Sequence, residues 1–135
     1  MPLIYQSQDK TANLRHEHES KALVLQFIGD VPHETYVEAS EVLLSYLREY
    51  DYYKYIFDNR KLTFVSVQSR AWFIRQFFAK LHRPKQRIAV VSSEISASSR
   101  VAVDTIKETM ISMGFEFSSF ITTSMEEALV WIAQE

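Results

Sequence analysis

Three short stretches, residues 22–28, 53–57 and 87–91, are apolar at nearly every position, and the segments between them carry apolar residues at helical spacing. A strand with one wet face alternates apolar and polar residues. A strand that is apolar throughout needs cover on both faces, as a central strand does when helices flank its sheet. Such strands alternating with helices predict a largely parallel sheet closed by right-handed crossovers.

Residues 3–7 and 12–19 are expected as two short antiparallel strands joined at Asp9-Lys10, the second alternating Leu14, His16 and His18 against Arg15, Glu17 and Glu19. Gly29-Asp30 ends the strand at 22–28. Over 32–50 the positions Tyr36, Ala39, Leu43, Tyr46, Leu47 and Tyr50 keep helical spacing, with Glu34, Glu38 and Glu41 on the other side. The strand at 53–57 runs into Asp58-Asn59-Arg60, a helix is expected over about 66–81, and Pro84 breaks the chain before the strand at 87–91. A third helix opens near the serine cluster at 96–99, carries Val103, Ile106, Met110 and Met113 at spacings 3, 4 and 3, and stops at Gly114. Residues 115–121 form the last strand. Ser124 and Glu127 make a capping box for a closing helix that buries Ala128, Leu129 and Ile132. The expected class is α/β: a mixed, mostly parallel sheet with an N-terminal antiparallel hairpin and four helices.

At 135 residues, 47% of them hydrophobic, one domain spanning 1–135 is expected, and two glycines and three prolines leave no linker composition. The first residues lack the pattern of a signal peptide and no apolar run approaches the ~20 residues of a membrane helix, so a cytoplasmic protein without membrane insertion is expected. Cysteine is absent, which excludes disulfides, thiolate catalysis and thiolate metal sites.

Charge is distributed unevenly. From 59 to 93 there are eight Lys or Arg (Arg60, Lys61, Arg70, Arg75, Lys80, Arg83, Lys85, Arg87) and no Asp or Glu, between acidic flanks that bring the whole chain to −2. At about 100° per residue, Val67, Ala71, Ile74, Phe78 and Leu81 share one stripe of the basic helix, widened by Phe77, and that stripe is the expected core. Trp72, Phe73, Gln76, Lys80 and Arg83 then fall on the outer face. There a neighbouring element covers the rings, or they form an interface of the aromatic and cationic type that dominates binding energies. The acidic face of the 34–49 helix could meet the basic helix of a second copy, giving a homodimer weakened by salt. Nucleic acid is a poor fit to a chain of pI about 6.1.

The element order, the Asp58-Asn59-Arg60 triplet after a buried strand, the Ser-led helix with Trp72 and the strand at 86–91 together resemble the STAS-like superfamily. The resemblance is to small bacterial proteins likened to anti-sigma factor antagonists and to the lipid-binding SEC14 fold. It implies a STAS-like sandwich and a regulatory module without enzymatic activity or cofactor, whose partner is another protein or a second copy of itself. The SEC14 likeness implies an alternative, a carrier holding a small apolar or anionic ligand between sheet and aromatic helix. Laying Asp58 on the first aspartate of the antagonist pattern brings the phosphorylated-serine position to Val67 or Gln68, with Ser66 and Ser69 beside it as candidates for phosphorylation. Ser66 reads first as an N-cap that accepts a backbone N–H from the first turn.

Ligands of open α/β sheets collect beyond the carboxyl ends of the strands, so Asp30, Asp58, Asn59, Arg60, Ser66 and Ser93 are expected on one rim. A carboxylate pair there could do acid-base work, or the residues could serve turns and caps, with Asp58 and Arg60 bonding each other. No histidine, glycine-rich loop or activated nucleophile accompanies them, and no catalytic residue is assigned. His16 and His18 have chelating spacing on what alternation makes a solvated strand face, but lack a third ligand, so no metal is expected.

Overall fold

The computed structural model describes residues 1–134. Its six strands lie side by side in chain order: β1 (Leu3–Gln6), β2 (Ala12–Glu17), β3 (Ala22–Val31), β4 (Lys54–Val65), β5 (Lys85–Val91) and β6 (Glu116–Thr122). β1 to β3 pair antiparallel, and β3 to β6 are parallel throughout. The helices are α1 (His33–Tyr50), α2 (Val67–Trp72), α3 (Ala97–Ser112) and α4 (Met125–Ala133). Beyond Trp72, α2 continues as a π turn over Phe73–Phe77 and a 3-10 turn over Phe78–Lys80.

Strands that add always on the same side, through right-handed crossovers, put all their helices on one face of the sheet. Leu43 and Leu47 of α1, Phe77 and Phe78 after α2, and Met110 of α3 accordingly share one core with Leu23, Leu25, Tyr55, Phe57 and Ile88. Only α4 follows the last strand, and it lies on the opposite face. There Ala128 and Ile132 pack on a floor of small residues, Ala22, Val24, Ile56, Ala89 and Val91. The near-continuous apolar strands of the sequence are thus those with helices above and below.

The N-terminal strands, α1, α3, β6 and α4 follow the expected order, and Ser66, Ser96 and Ser124 each cap a helix by accepting the N–H three residues on. β4 departs from expectation. It does not stop at residue 57 but runs through Asp58-Asn59-Arg60 to Val65, and β3 likewise runs on to Val31. Two bulges let it do so. Gln26 pairs with Asp58 but Ile28 with Lys61, and Gly29 pairs with Leu62 but Asp30 with Phe64, so β4 carries extra residues each time. Gly29 has φ +70, which favours glycine at the second irregularity.

Two other expectations are corrected. His16 is not on a solvated face: it is 5% exposed, stacks on Tyr50 at 4.6 Å and meets the Tyr52 hydroxyl at 2.9 Å. In the basic helix the expected core stripe is half wrong, since Val67 and Ile74 are exposed. Trp72 and Phe73, expected outside, pack against the core with Phe77 and Phe78.

Candidate functional site

β5 ends at Val91, level with Asp58, and β4 with β3 continues past it, so the carboxyl ends of the strands form a step. On the lower level lie Asp58, Asn59 and Arg60. Asp58 is 3% exposed, on the face that carries α4. Arg60 grips it bidentately, Nε to Oδ1 and Nη2 to Oδ2, both at 2.9 Å, and the Arg60 N–H adds a longer bond at 3.3 Å. Gln26 Nε2 donates to Asp58 Oδ2 at 3.0 Å, and Asn13 Nδ2 donates to Gln26 Oε1 at 3.0 Å. The carboxylate can only accept, so it fixes the direction of this amide ladder across β2, β3 and β4. It also holds the Arg60 guanidinium above its ordinary pKa through their hydrogen bonds and opposite charge. Such a ladder pairs the buried Asp58 carboxylate and the Gln26 amide and fixes strand register, while Asn13 Oδ1 and Asn59 Oδ1 find no partner among the described residues.

On the upper level, Asp30 is exposed on β3 and Ser66 follows the last residue of β4. Ser66 Oγ accepts the Ser69 N–H at 3.1 Å and donates to Ser69 Oγ at 3.0 Å, and Ser69 Oγ meets His33 Nδ1 at 3.0 Å. Ser69 is fully buried, so a phosphate there would have to displace His33 and the helix. Ser93 lies exposed in the loop after β5. Among the described residues no hydrogen bond or ion pair joins the Asp58 group to the Ser66 group. The rim is therefore two separate structures.

The basic segment is largely answered within its own chain. Lys80 reaches Glu41 of α1 at 2.9 Å and sits 5.7 Å from the Trp72 ring centre. Arg83 approaches Asp51 at 3.6 Å, His82 binds the same carboxylate at 3.0 Å, and Arg83 lies 4.9 Å from the Tyr53 ring. Arg87 stacks on Trp131 at 3.6 Å and donates to its carbonyl. On the acidic side of α1, Glu41 thus meets a base of its own chain, while Glu38 accepts the Tyr5 hydroxyl at 2.6 Å. Arg70 and Arg75 are exposed and make no ion pair among the described residues.

What remains on the outside is Val67 at the start of α2 and Ile74 in the π turn, with half-buried Ala71 between them in sequence. Val67 is 82% and Ile74 49% exposed, and Phe64, three residues before Val67, is 58% exposed. The spacing of these residues was visible in the sequence, but their direction was not, because a partner molecule and a core select the same residues. An open cleft of about 580 Å³ lies at the other end of the sheet, lined by Lys21, Tyr50, Asp51, Tyr52, Tyr53, Lys54 and Arg83.

No family model and no curated protein matches the sequence. The fold has matches among solved structures. An anti-sigma factor antagonist from Mycobacterium paratuberculosis superposes with a TM-score of 0.58 at 12% identity, over 95% of this chain and 98% of that one. A DUF3478-family protein of SpoIIAA-like fold from Shewanella loihica, itself uncharacterised, superposes with a TM-score of 0.58 at 16% identity, over 90% and 91% of the two chains. The chain has the SpoIIAA-like, or STAS-like, α/β fold. No helix among the described residues is long and apolar enough to cross a membrane.

Proposed function

We propose that this chain is a non-enzymatic regulatory module that binds a protein partner on the outer face of α2 and the end of β4. The observation that supports it is the set of exposed apolar side chains Phe64, Val67 and Ile74, accompanied by exposed Arg70 and Arg75. Each large apolar side chain left in water forgoes about 25 cal/mol per Å² of burial, and several of them within eleven residues mark a surface meant to be covered. The cations beside it favour a partner with acidic residues around an apolar ridge. One structural neighbour is, by its name, an antagonist of an anti-sigma factor, a role exercised on another protein. Trp72 and Phe73 pack on the core beneath it, Lys80 is taken up by Glu41, and Arg83 lies at the opposite end of the sheet against Tyr53 and Asp51. Ser66, half-buried at the start of α2, is the serine retained as a candidate for phosphorylation, which would place negative charge beside that surface.

The test is photocrosslinking in the producing cell from a benzoylphenylalanine at Val67, with the same probe at Lys107 on α3 as control. A discrete protein adduct from Val67, lost in Ile74→Asp and Arg70→Glu, is expected. Absence of any adduct specific to Val67 would refute the proposal. A second reading, a carrier of a small anionic ligand, draws on the cleft around Tyr53, where Lys21, Lys54 and Arg83 stand among three tyrosines. Native mass spectrometry of protein from its own cell tests it, a retained small molecule being the result it requires.

A further inference from the structure

The two edges of the sheet are protected very differently. β1 has four residues, follows Pro2 and carries a bulge between Leu3 and Tyr5, all devices that discourage another strand from pairing there. β6 has none of them. It contains no proline, glycine or lysine, no bulge interrupts its register with β5, and residues 117–123 include no charge. Among the described residues nothing pairs with its outer side.

The main chain of β6 can be oriented from its inner bonds. Glu116 N–H donates to the Pro84 carbonyl at 2.9 Å, and the Thr122 carbonyl accepts from Ser92 N–H at 3.0 Å. Even-numbered residues therefore turn their backbone groups toward β5, and the N–H and C=O of Phe117, Ser119 and Ile121 point outward.

We propose that β6 pairs antiparallel with β6 of a second copy, across a two-fold axis at Ser119, joining two sheets into one. In that register Ser119 faces its own equivalent, and Phe117 of each copy faces Ile121 of the other. These are the three positions with outward backbone groups, so each pair closes as a hydrogen-bonded pair of the ladder. A two-fold contact requires a surface complementary to itself. This one opposes a small hydroxyl residue to itself and an aromatic to a β-branched residue, and sets no like charges opposite each other. The helices that pack on β6, α3 on one face and α4 on the other, also carry exposed apolar residues: Ile111 on α3 and Met113 at its cap, both at 53%, and Val130 on α4 at 58%. The pairing supplies a surface for self-association and leaves the α2 surface open on both copies.

Because the chain has no cysteine, Ser119→Cys puts a single thiol on the axis. Hydrogen-bonded antiparallel partners hold their Cα atoms about 5.5 Å apart, inside the roughly 4.4–6.8 Å that a disulfide spans. Light scattering is expected to give a dimer whose mass does not fall with added salt, and mild oxidation of Ser119→Cys a covalent dimer, with Lys107→Cys giving none. Ser119→Pro, which removes an outward N–H, and Ser119→Lys, which opposes like charges, are each expected to give monomers of unchanged circular dichroism. Should Ser119→Pro misfold, Ser119→Lys and Ser119→Cys still decide. A wild-type monomer at high concentration, or a dimer that survives Ser119→Lys, overturns the pairing. The Val67 crosslink, persisting in Ser119→Lys, would keep the α2 proposal standing whatever the outcome at β6.

Discussion

The guanidinium of Arg60 folds back onto the carboxylate of Asp58 in the same strand, two contacts at 2.9 Å across a bulge, and Gln26 of β3 secures the same carboxylate from the other side. Two polar residues that would ordinarily end a strand are here what allows it to continue. Removing one member of a buried pair costs about 3–5 kcal/mol. Replacing Arg60 leaves the Asp58 carboxylate, whose side chain is only 4% exposed, with Gln26 as its remaining side-chain partner, so Arg60→Met is expected to lower stability by about 2–3 kcal/mol. Replacing Asp58 leaves a guanidinium that is 42% exposed and is taken up by water, so Asp58→Ala should cost about 1–2 kcal/mol. Urea unfolding of the two variants checks the order; equal effects would mean that water reaches the lone carboxylate as readily as the lone guanidinium.

Stability should fall in mild acid. Burial, and then the charge of His18 whose ring lies 3.8 Å away, hold His16 below its ordinary 6.5, with Glu17 pulling weakly the other way. Tyr50 and Tyr52 fill the remaining sides with neutral groups. The folded chain therefore binds fewer protons at His16 than the unfolded one. Its stabilising contribution is full above pH 6.5 and declines as the pH falls below that value and through the folded-state pKa. Urea midpoints measured from pH 8 to pH 5 in about half-unit steps should show this decline, and His16→Gln should flatten it.

How far these elements could be read beforehand depended on how local their causes are. Serine caps and apolar strands announce themselves within a few residues, so Ser66, Ser96, Ser124 and the stretch at 22–28 were legible. The second half of β4 was not. Asp and Asn are depleted in strands, and what compensates at Asp58 is Gln26, 32 positions away. The helix after Ser66 failed for a different reason. A fixed angular step cannot be carried past Trp72, where the helix widens into a π turn: Phe77 and Phe78 are buried as expected, but Phe73 packs on the core while Ile74 faces outward. Before that turn the buried face is occupied by Ser69 and His33, a polar contact that hydrophobic periodicity does not detect.

The Tyr55 hydroxyl is fully buried and finds no hydrogen-bond partner among the described residues, and burial drives its pKa well up. Its ring meets Phe57 edge-on at 5.7 Å and Phe77 at a tilt at 6.1 Å. Tyr55→Phe keeps the ring contacts and removes the desolvated hydroxyl. It should stabilise the fold by about 1 kcal/mol, raising Tm by roughly 4 °C in a chain of this size. Calorimetry decides, and a lower Tm would reveal a partner for that hydroxyl.

The assignment of faces on α2 and its continuation makes a sharper demand, because two apolar residues three apart should respond oppositely. Phe77 is fully buried among Tyr55, Phe57, Phe73 and Phe78, so Phe77→Ala removes a ring the core cannot refill and should cost about 3–5 kcal/mol. Ile74 stands at the surface, and Ile74→Asp should leave stability within about 0.5 kcal/mol while abolishing the Val67 crosslink. Trp72→Ala separates support from contact: the half-buried ring packs on the core, so its loss should lower stability by about 2 kcal/mol or more. If Ile74→Asp proved as destabilising as Phe77→Ala, Ile74 would belong to the interior after all, and no exposed ridge would remain for a partner to cover.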